Sequence, residues 1–150
     1  MAYSDVKARL LVHAQTAAAA VTPPIEDVQI AFPLPKSDCV RVYYGGETDP
    51  VRMGGRYTLT SEMVGKVTLI GLFLPITSLD EELAVSLDAR AEAFGHALRT
   101  AIDADLDLAA SGDNTNLGDA DLDIVVAGNV RFLHVMWRCV TDYTEYTLAK

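Results

Sequence analysis

Apolar positions first recur at helical spacing. Val6, Leu10, Ala14, Ala17 and Val21 follow one another in steps of three and four, the signature of a helix with one buried face. Ser4 offers a cap and Asp5 an acid in the first turn, where the helix dipole favours one. The alanine run before Thr22, Pro23 and Pro24 favours helix up to that stop. The pattern predicts a first helix over residues 5–20. Residues 23–38 hold four of the six prolines and read as an extended connection with a short strand near 28–31. Residues 39–44 are β-branched and aromatic and read as a strand. Residues 45–56 contain four glycines and Pro50 and read as a loop. Residues 57–75 form one long strand, or two broken near Gly65, and both of its faces are apolar from Leu69 onward. Such a strand is covered on both sides.

The second helix is the plainest element. Ser78 and Glu81 have capping-box spacing, and Leu79, Leu83, Leu87, Ala91, Phe94, Leu98 and Ile102 then make one stripe to about residue 105. Asp80, Glu81 and Glu82 crowd its first turn. Residues 111–119 read as a polar loop. Strands at 121–127 and 130–148 flank Gly128 and Asn129, a two-residue hairpin signal. The expected fold is a single two-layer α+β domain. Its helices pack on one face of a mixed or antiparallel sheet of four or more strands, in the order α–β–β–α–β–β.

The 150-residue length fits one domain. A 50% hydrophobic content can build one core, and 22% charged residues are too few for a disordered chain. No apolar run reaches the roughly 18–20 residues of a membrane span. The first twenty residues lack a basic start leading into a strongly apolar stretch, so they read as a helix and not a signal peptide. Synthesis and folding in a cytoplasm are expected. The net charge of −9, with 12 basic against 21 acidic residues, argues against gripping DNA, which takes Lys and Arg against phosphate. A surface that DNA passes without sticking suits this charge. Cys39 and Cys139 both fall in strands and are expected as buried thiols.

Searches for chemistry fail. His13, His96 and His134 have no metal-ligand partner at close spacing. Two D-x-D-x-D runs start at Asp103 and Asp119. A calcium loop needs Gly at its sixth position and Glu at its twelfth; here those places hold Leu108 and Asn114, or Ile124 and Val130. Asp119, Asp121 and Asp123 read instead as a solvated face of a strand. Dinucleotide, P-loop and hydrolase-elbow motifs are absent. No metal, nucleotide, cofactor or turnover is expected.

The order of elements resembles the tail terminator, or tail completion, proteins of long-tailed bacteriophages. The resemblance lies in the first helix and in the Pro-rich lead-in to Val40, Arg41, Val42, Tyr43 and Tyr44. It continues in the long strand ending Leu72, Phe73, Leu74, Pro75, with Ser78, Leu79, Asp80 and Glu81 opening the second helix. It ends in a terminal strand pair running from Trp137 to Tyr146 through Val140, Thr141, Asp142 and Tyr143. Residues 45–56 and 111–119 fall outside it.

The resemblance implies a virion protein at the head–tail junction, assembled in the host cytoplasm. A homo-oligomeric ring, usually a hexamer, would cap the tail tube protein, stop its polymerisation and offer its other face to the head-closure or connector protein. DNA would pass through without specific binding, and no membrane is involved. On this reading the loop with Arg52, Met53 and Arg56 meets the tube or an adjacent ring protein. Strand edges and Asp80, Glu81 and Glu82 serve ring contacts, and Tyr143 and Tyr146 offer a second interface. A head-side neck protein, and a small α+β ligand-binding domain, are the alternatives.

Overall fold

The structure is a computed structural model describing residues 2–48, 51–54, 59–106, 108 and 115–148, with backbone alone for 51–54, 59–63, 116 and 143–148. Helix α1 spans Tyr3–Ala20 and buries Val6, Leu10, Ala14, Ala17 and Ala18. Its cap position is Ala2, without a side-chain bond, so Ser4 lies inside the helix and is not its cap. Strand β1, Val28–Ile30, runs parallel to β2, Cys39–Glu47. After β3, Val51–Gly54, comes the long strand β4, Leu59–Ile76. Helix α2, Glu81–Asp103, then leads to β5, Thr115–Ala127, and β6, Val130–Leu148.

The result is an α+β fold with two helices and a mixed sheet ordered β1-β2-β4-β6-β5. The expected order needs correction, because four strands separate the helices. One of the additional two is β1, foreseen as a short strand. The other, β3, arises where a loop was expected. β6 occupies one edge of β4 throughout, from Leu59↔Leu148 to Ile76↔Arg131. β2 and β3 therefore share the other edge, β2 opposite residues 66–73 and β3 opposite residues 60–63.

The physical reason lies at Gly65 and Thr48. The Thr48 N–H donates to the Gly65 carbonyl at 2.7 Å, and the Gly65 N–H donates to Thr48 Oγ1 at 2.8 Å. The threonine hydroxyl stands in for a backbone carbonyl, so pairing carries on past the bulge at Gly45 and the positive φ of +103° at Gly46. Gly65 has to be glycine for this approach. A Cβ there would lie 2.7 Å from Thr48 Oγ1 and 2.8 Å from Val140 Cγ1.

Both helices pack on one face of the sheet, over Val40, Val42, Ile70, Leu72, Leu74, Val135, Trp137 and Cys139. Phe94 stacks at a tilt on Trp137 with ring centroids 5.3 Å apart. Gly95 lets α2 come this close, since a Cβ there would sit 2.9 Å from the indole. Phe94 and Leu98 are fully buried and Leu87 is buried, as the stripe required; Leu79 instead precedes the helix and is 94% exposed. The capping box is also corrected. Asp80 caps α2 by accepting from the Leu83 N–H at 2.7 Å, and Ser78 only donates to Asp80 at 2.9 Å. On the opposite sheet face Cys39, Phe73 and Phe132 form a small second cluster. The hairpin turn at Gly128 and Asn129 is as read, with Gly128 at φ +62° and Ala127 opposite Val130. β5 begins six residues before the expected start, with a bulge between Leu117 and Ala120; residues 111–114 lie outside the described residues. Among the described residues, no helix is long and apolar enough to cross a membrane.

Gly65→Ala tests the junction. Thr48 and Val140 are β-branched and yield poorly at χ1, so overpacking is expected to cost about 1–3 kcal/mol. Thermal melting reads this as a lowered midpoint. An unchanged midpoint would mean that the two strands part there at no cost.

Candidate interaction surfaces

At about 3.3 Å per residue, the 18 residues of β4 span about 60 Å. At 1.5 Å per residue, the 18 residues of α1 cover about 27 Å and the 23 of α2 about 35 Å. The strand therefore outruns its cover. The start of α1 is pinned where the cover ends: Tyr3 Oη donates to the Val67 carbonyl at 3.2 Å and shares a 2.8 Å hydrogen bond with Thr68 Oγ1. From there back to Leu59 the sheet continues as a three-stranded ribbon of β3, the start of β4 and the end of β6.

The ribbon gathers several of the expected interface residues. Arg52 pairs with Glu62 and Met53 with Ser61, while on the other side Glu145 pairs with Glu62 and Tyr146 with Ser61. Tyr143 pairs with Val64. Arg52 and Met53 are thus strand residues, not loop residues as expected, and share the ribbon with Tyr143 and Tyr146. Arg56 lies outside the described residues. Asp80, Glu81 and Glu82 belong elsewhere, because α2 starts just beyond Ile76, the opposite end of β4. Asp80 is occupied in capping, and its bonds from the Leu83 N–H and Ser78 hold its carboxyl below the ordinary range. Glu81 and Glu82 are exposed.

Other features were not foreseen. Leu122, Ile124 and Val126 of β5 pair with Val135, Leu133 and Arg131, which places them on the helix-bearing face. Neither helix reaches them, and they are 64%, 63% and 66% exposed. Their alternation with Asp121, Asp123 and Val125 was the available signal. Asp121 and Asp123 fall on the other face; Asp119 sits in the bulge, so strict alternation does not extend to it.

That other face carries a groove of about 790 Å³ between the 33–36 segment and the β5–β6 turn. Its floor is His134 stacked on Phe73, with centroids 4.4 Å apart and planes at 12°. His134 Nδ1 is 2.9 Å from Asp123 Oδ1, while Nε2 is buried without a hydrogen-bond partner. The walls are mostly apolar, and Lys36 and His134 are the polar side chains with basic groups among its lining residues. A small-molecule site would use several convergent polar groups to fix its ligand.

The strongest polar cluster joins the helices. Asp105 accepts from Arg9 Nε and a terminal guanidinium nitrogen, each at 2.8 Å, and lies 2.6 Å from His13 Nε2. Its side chain is only 4% exposed. The Arg9 bonds hold its carboxyl far below the ordinary range against the opposing effect of burial, with smaller help from His13 and the Leu108 N–H. Arg9 and His13 stand one helical turn apart on α1, and that basic pair in an acidic chain was the visible sign. Cys39 and Cys139 are free, buried and on strands separated by β4. Burial pushes their thiols up to about 11 and about 12, which keeps them protonated and unreactive at neutral pH. Among the described residues, no group of three or more His, Cys, Asp or Glu is arranged to hold a metal. No protein-family model matches this chain, and no curated protein matches it.

Asp105→Asn keeps the shape and removes the charge. Arg9 is 41% exposed and can rehydrate, so the expected cost is about 1–2 kcal/mol at neutral pH. The folded carboxyl titrates below its unfolded value. Its stabilisation is therefore complete above about pH 5 and is lost as pH falls through the unfolded value near about 4 toward the lower folded one. Urea unfolding should show the gap between wild type and variant closing in acid. A gap constant with pH would assign the cost to packing.

Proposed function

We propose that this chain is a structural assembly protein that forms a ring on the end of a phage tail tube, stops tube polymerisation and presents its other face to the head connector. The observation that supports it most is the ribbon. A sheet that continues about 25 Å beyond its helices holds strand edges and Arg52, Met53, Tyr143 and Tyr146 clear of the body. It is built for contact with something outside the subunit. The resemblance of the sequence to tail terminators supports the identity of that partner as tail tube. The acidic balance of −9 suits a passage that DNA traverses without being held.

A head-side neck protein would share these features, and binding to isolated tubes separates the two. The ligand-binding alternative rests on the groove beside His134, whose few polar groups favour it less.

The test adds the purified chain to polymerising cognate tube protein. Short tubes carrying the chain at one end are expected. Arg52→Gln removes the charge without setting a third carboxylate beside Glu62 and Glu145, and is expected to weaken tube binding about tenfold with little change in the melting temperature. Tubes that grow to normal length with no chain at their ends would overturn the reading.

A further inference from the structure

The two ends of the helix-covered body differ in chemistry, and each leaves apolar side chains uncovered. Beside the start of α1, Ile30, Phe32 and Tyr44 line a shallow cleft of about 300 Å³ together with Lys7. They are 41%, 73% and 53% exposed. At the other end, Leu79 precedes α2 and Val85 stands in its second turn, 94% and 69% exposed. By spacing Leu79 belongs to the apolar stripe of α2, yet among the described residues it finds no cover in its own chain. Apolar side chains gathered round a cleft mark an association site.

The two places cannot meet within one subunit. Tyr44 pairs with β4 at Thr68, while α2 begins beyond Ile76; the strand between those levels is about 26 Å long. Charge separates them further. Lys7 is the one charged residue lining the cleft, with its ammonium 5.1 Å from the Tyr3 ring centroid. Asp5, the nearest acid on α1, is not among the lining residues. Lys7 has no ion-pair partner among the described residues. Lys66 approaches the same ring at 5.2 Å, but Glu47 stands opposite it in the β2–β4 ladder, so Lys7 is the cation that the cleft offers. The start of α2 carries Glu81 and Glu82, both exposed and neither in an ion pair among the described residues. Asp80 is used as the cap, and the first cation along α2, Arg90, is held by Asp38.

We propose that copies of this chain join head to tail, the start of α2 of one copy seated in the cleft beside α1 of the next. Leu79 and Val85 cover Ile30, Phe32 and Tyr44, and Glu81 or Glu82 meets Lys7. The proposal rests on the ring reading and specifies its interface. Charge complementarity selects the unlike pairing. Two α2 starts brought together would set Glu81 and Glu82 against their own equivalents, and two clefts would do the same with Lys7. Unlike surfaces at opposite ends of a subunit give the heterologous contact that a closed ring requires. The ribbon takes no part in this contact and is left for the tube.

The test uses Phe32→Cys and Leu79→Cys with a short bis-maleimide, on free protein at high concentration and on tube-bound protein. The native thiols are buried and do not compete. Neither single variant should cross-link to itself. Their mixture should give dimers, and the double variant a ladder ending at the ring size seen by native mass spectrometry. Lys7→Glu should weaken association about tenfold, and adding Glu81→Lys and Glu82→Lys to the same chain should restore it. Dimers from Leu79→Cys alone, or wild-type association of Lys7→Glu, would overturn the proposal. A cyclic oligomer whose Phe32→Cys and Leu79→Cys mixture fails to cross-link would overturn it and leave the ring reading standing. No cyclic oligomer in either preparation would overturn both.

Discussion

Everything in this structure follows from a mismatch of lengths. A strand advances more than twice as far per residue as a helix, and here the central strand is 18 residues long beneath helices of 18 and 23. One half of β4 is roofed by apolar helix faces and becomes core, with Ile70, Leu72 and Leu74 fully buried. The other half cannot be roofed. Among the described residues it pairs with strands on both sides, β6 on one edge and β3 on the other, and it continues as a ribbon. Body and ribbon meet at Gly65 and Thr48, where two short hydrogen bonds and the absence of a Cβ keep the pairing continuous.

The roof is held in place by a few polar contacts at its margins. Tyr3 ties the start of α1 to Val67 and Thr68. Arg9 and His13 tie its middle to Asp105 at the end of α2. Arg41, only 8% exposed within the sheet, reaches Asp27 with two bonds of 2.9 Å and anchors the lead-in to β1. The helices stop short of the outer half of β5, whose Leu122, Ile124 and Val126 face solvent.

Much of the body was legible in the sequence. The buried positions of α1 and the lower stripe of α2 follow from spacing alone, and the hairpin at Gly128 follows from turn chemistry. The final strand was read to its true limits, Val130–Leu148. Of the ribbon, the start of β4 and the end of β6 were legible as strand, and β3 was not. The glycines, Pro50 and polar residues of the 45–56 sequence carry no alternation, and the Thr48–Gly65 bonds that precede β3 are a tertiary contact that no local pattern announces. The same holds for Asp105. Set in a failed calcium motif, it finds its partners 96 and 92 residues away. The residues expected at interfaces fall in separate places. Arg52, Met53, Tyr143 and Tyr146 converge through strand pairing, while Asp80 proves to be a cap. The β5 stripe was missed because its alternation looks like that of any half-buried strand until the reach of the helices is known.

The helices and the covered half of β4 form the packed body, and the ribbon extends the sheet beyond it. The proposed ring is tested most directly by the mass of the chain bound to the end of a tail tube, obtained by native mass spectrometry of the released complex and by counting subunits in end-on images. The account predicts a closed ring of about six copies with cyclic symmetry. A monomer or a two-fold dimer in that particle would contradict it.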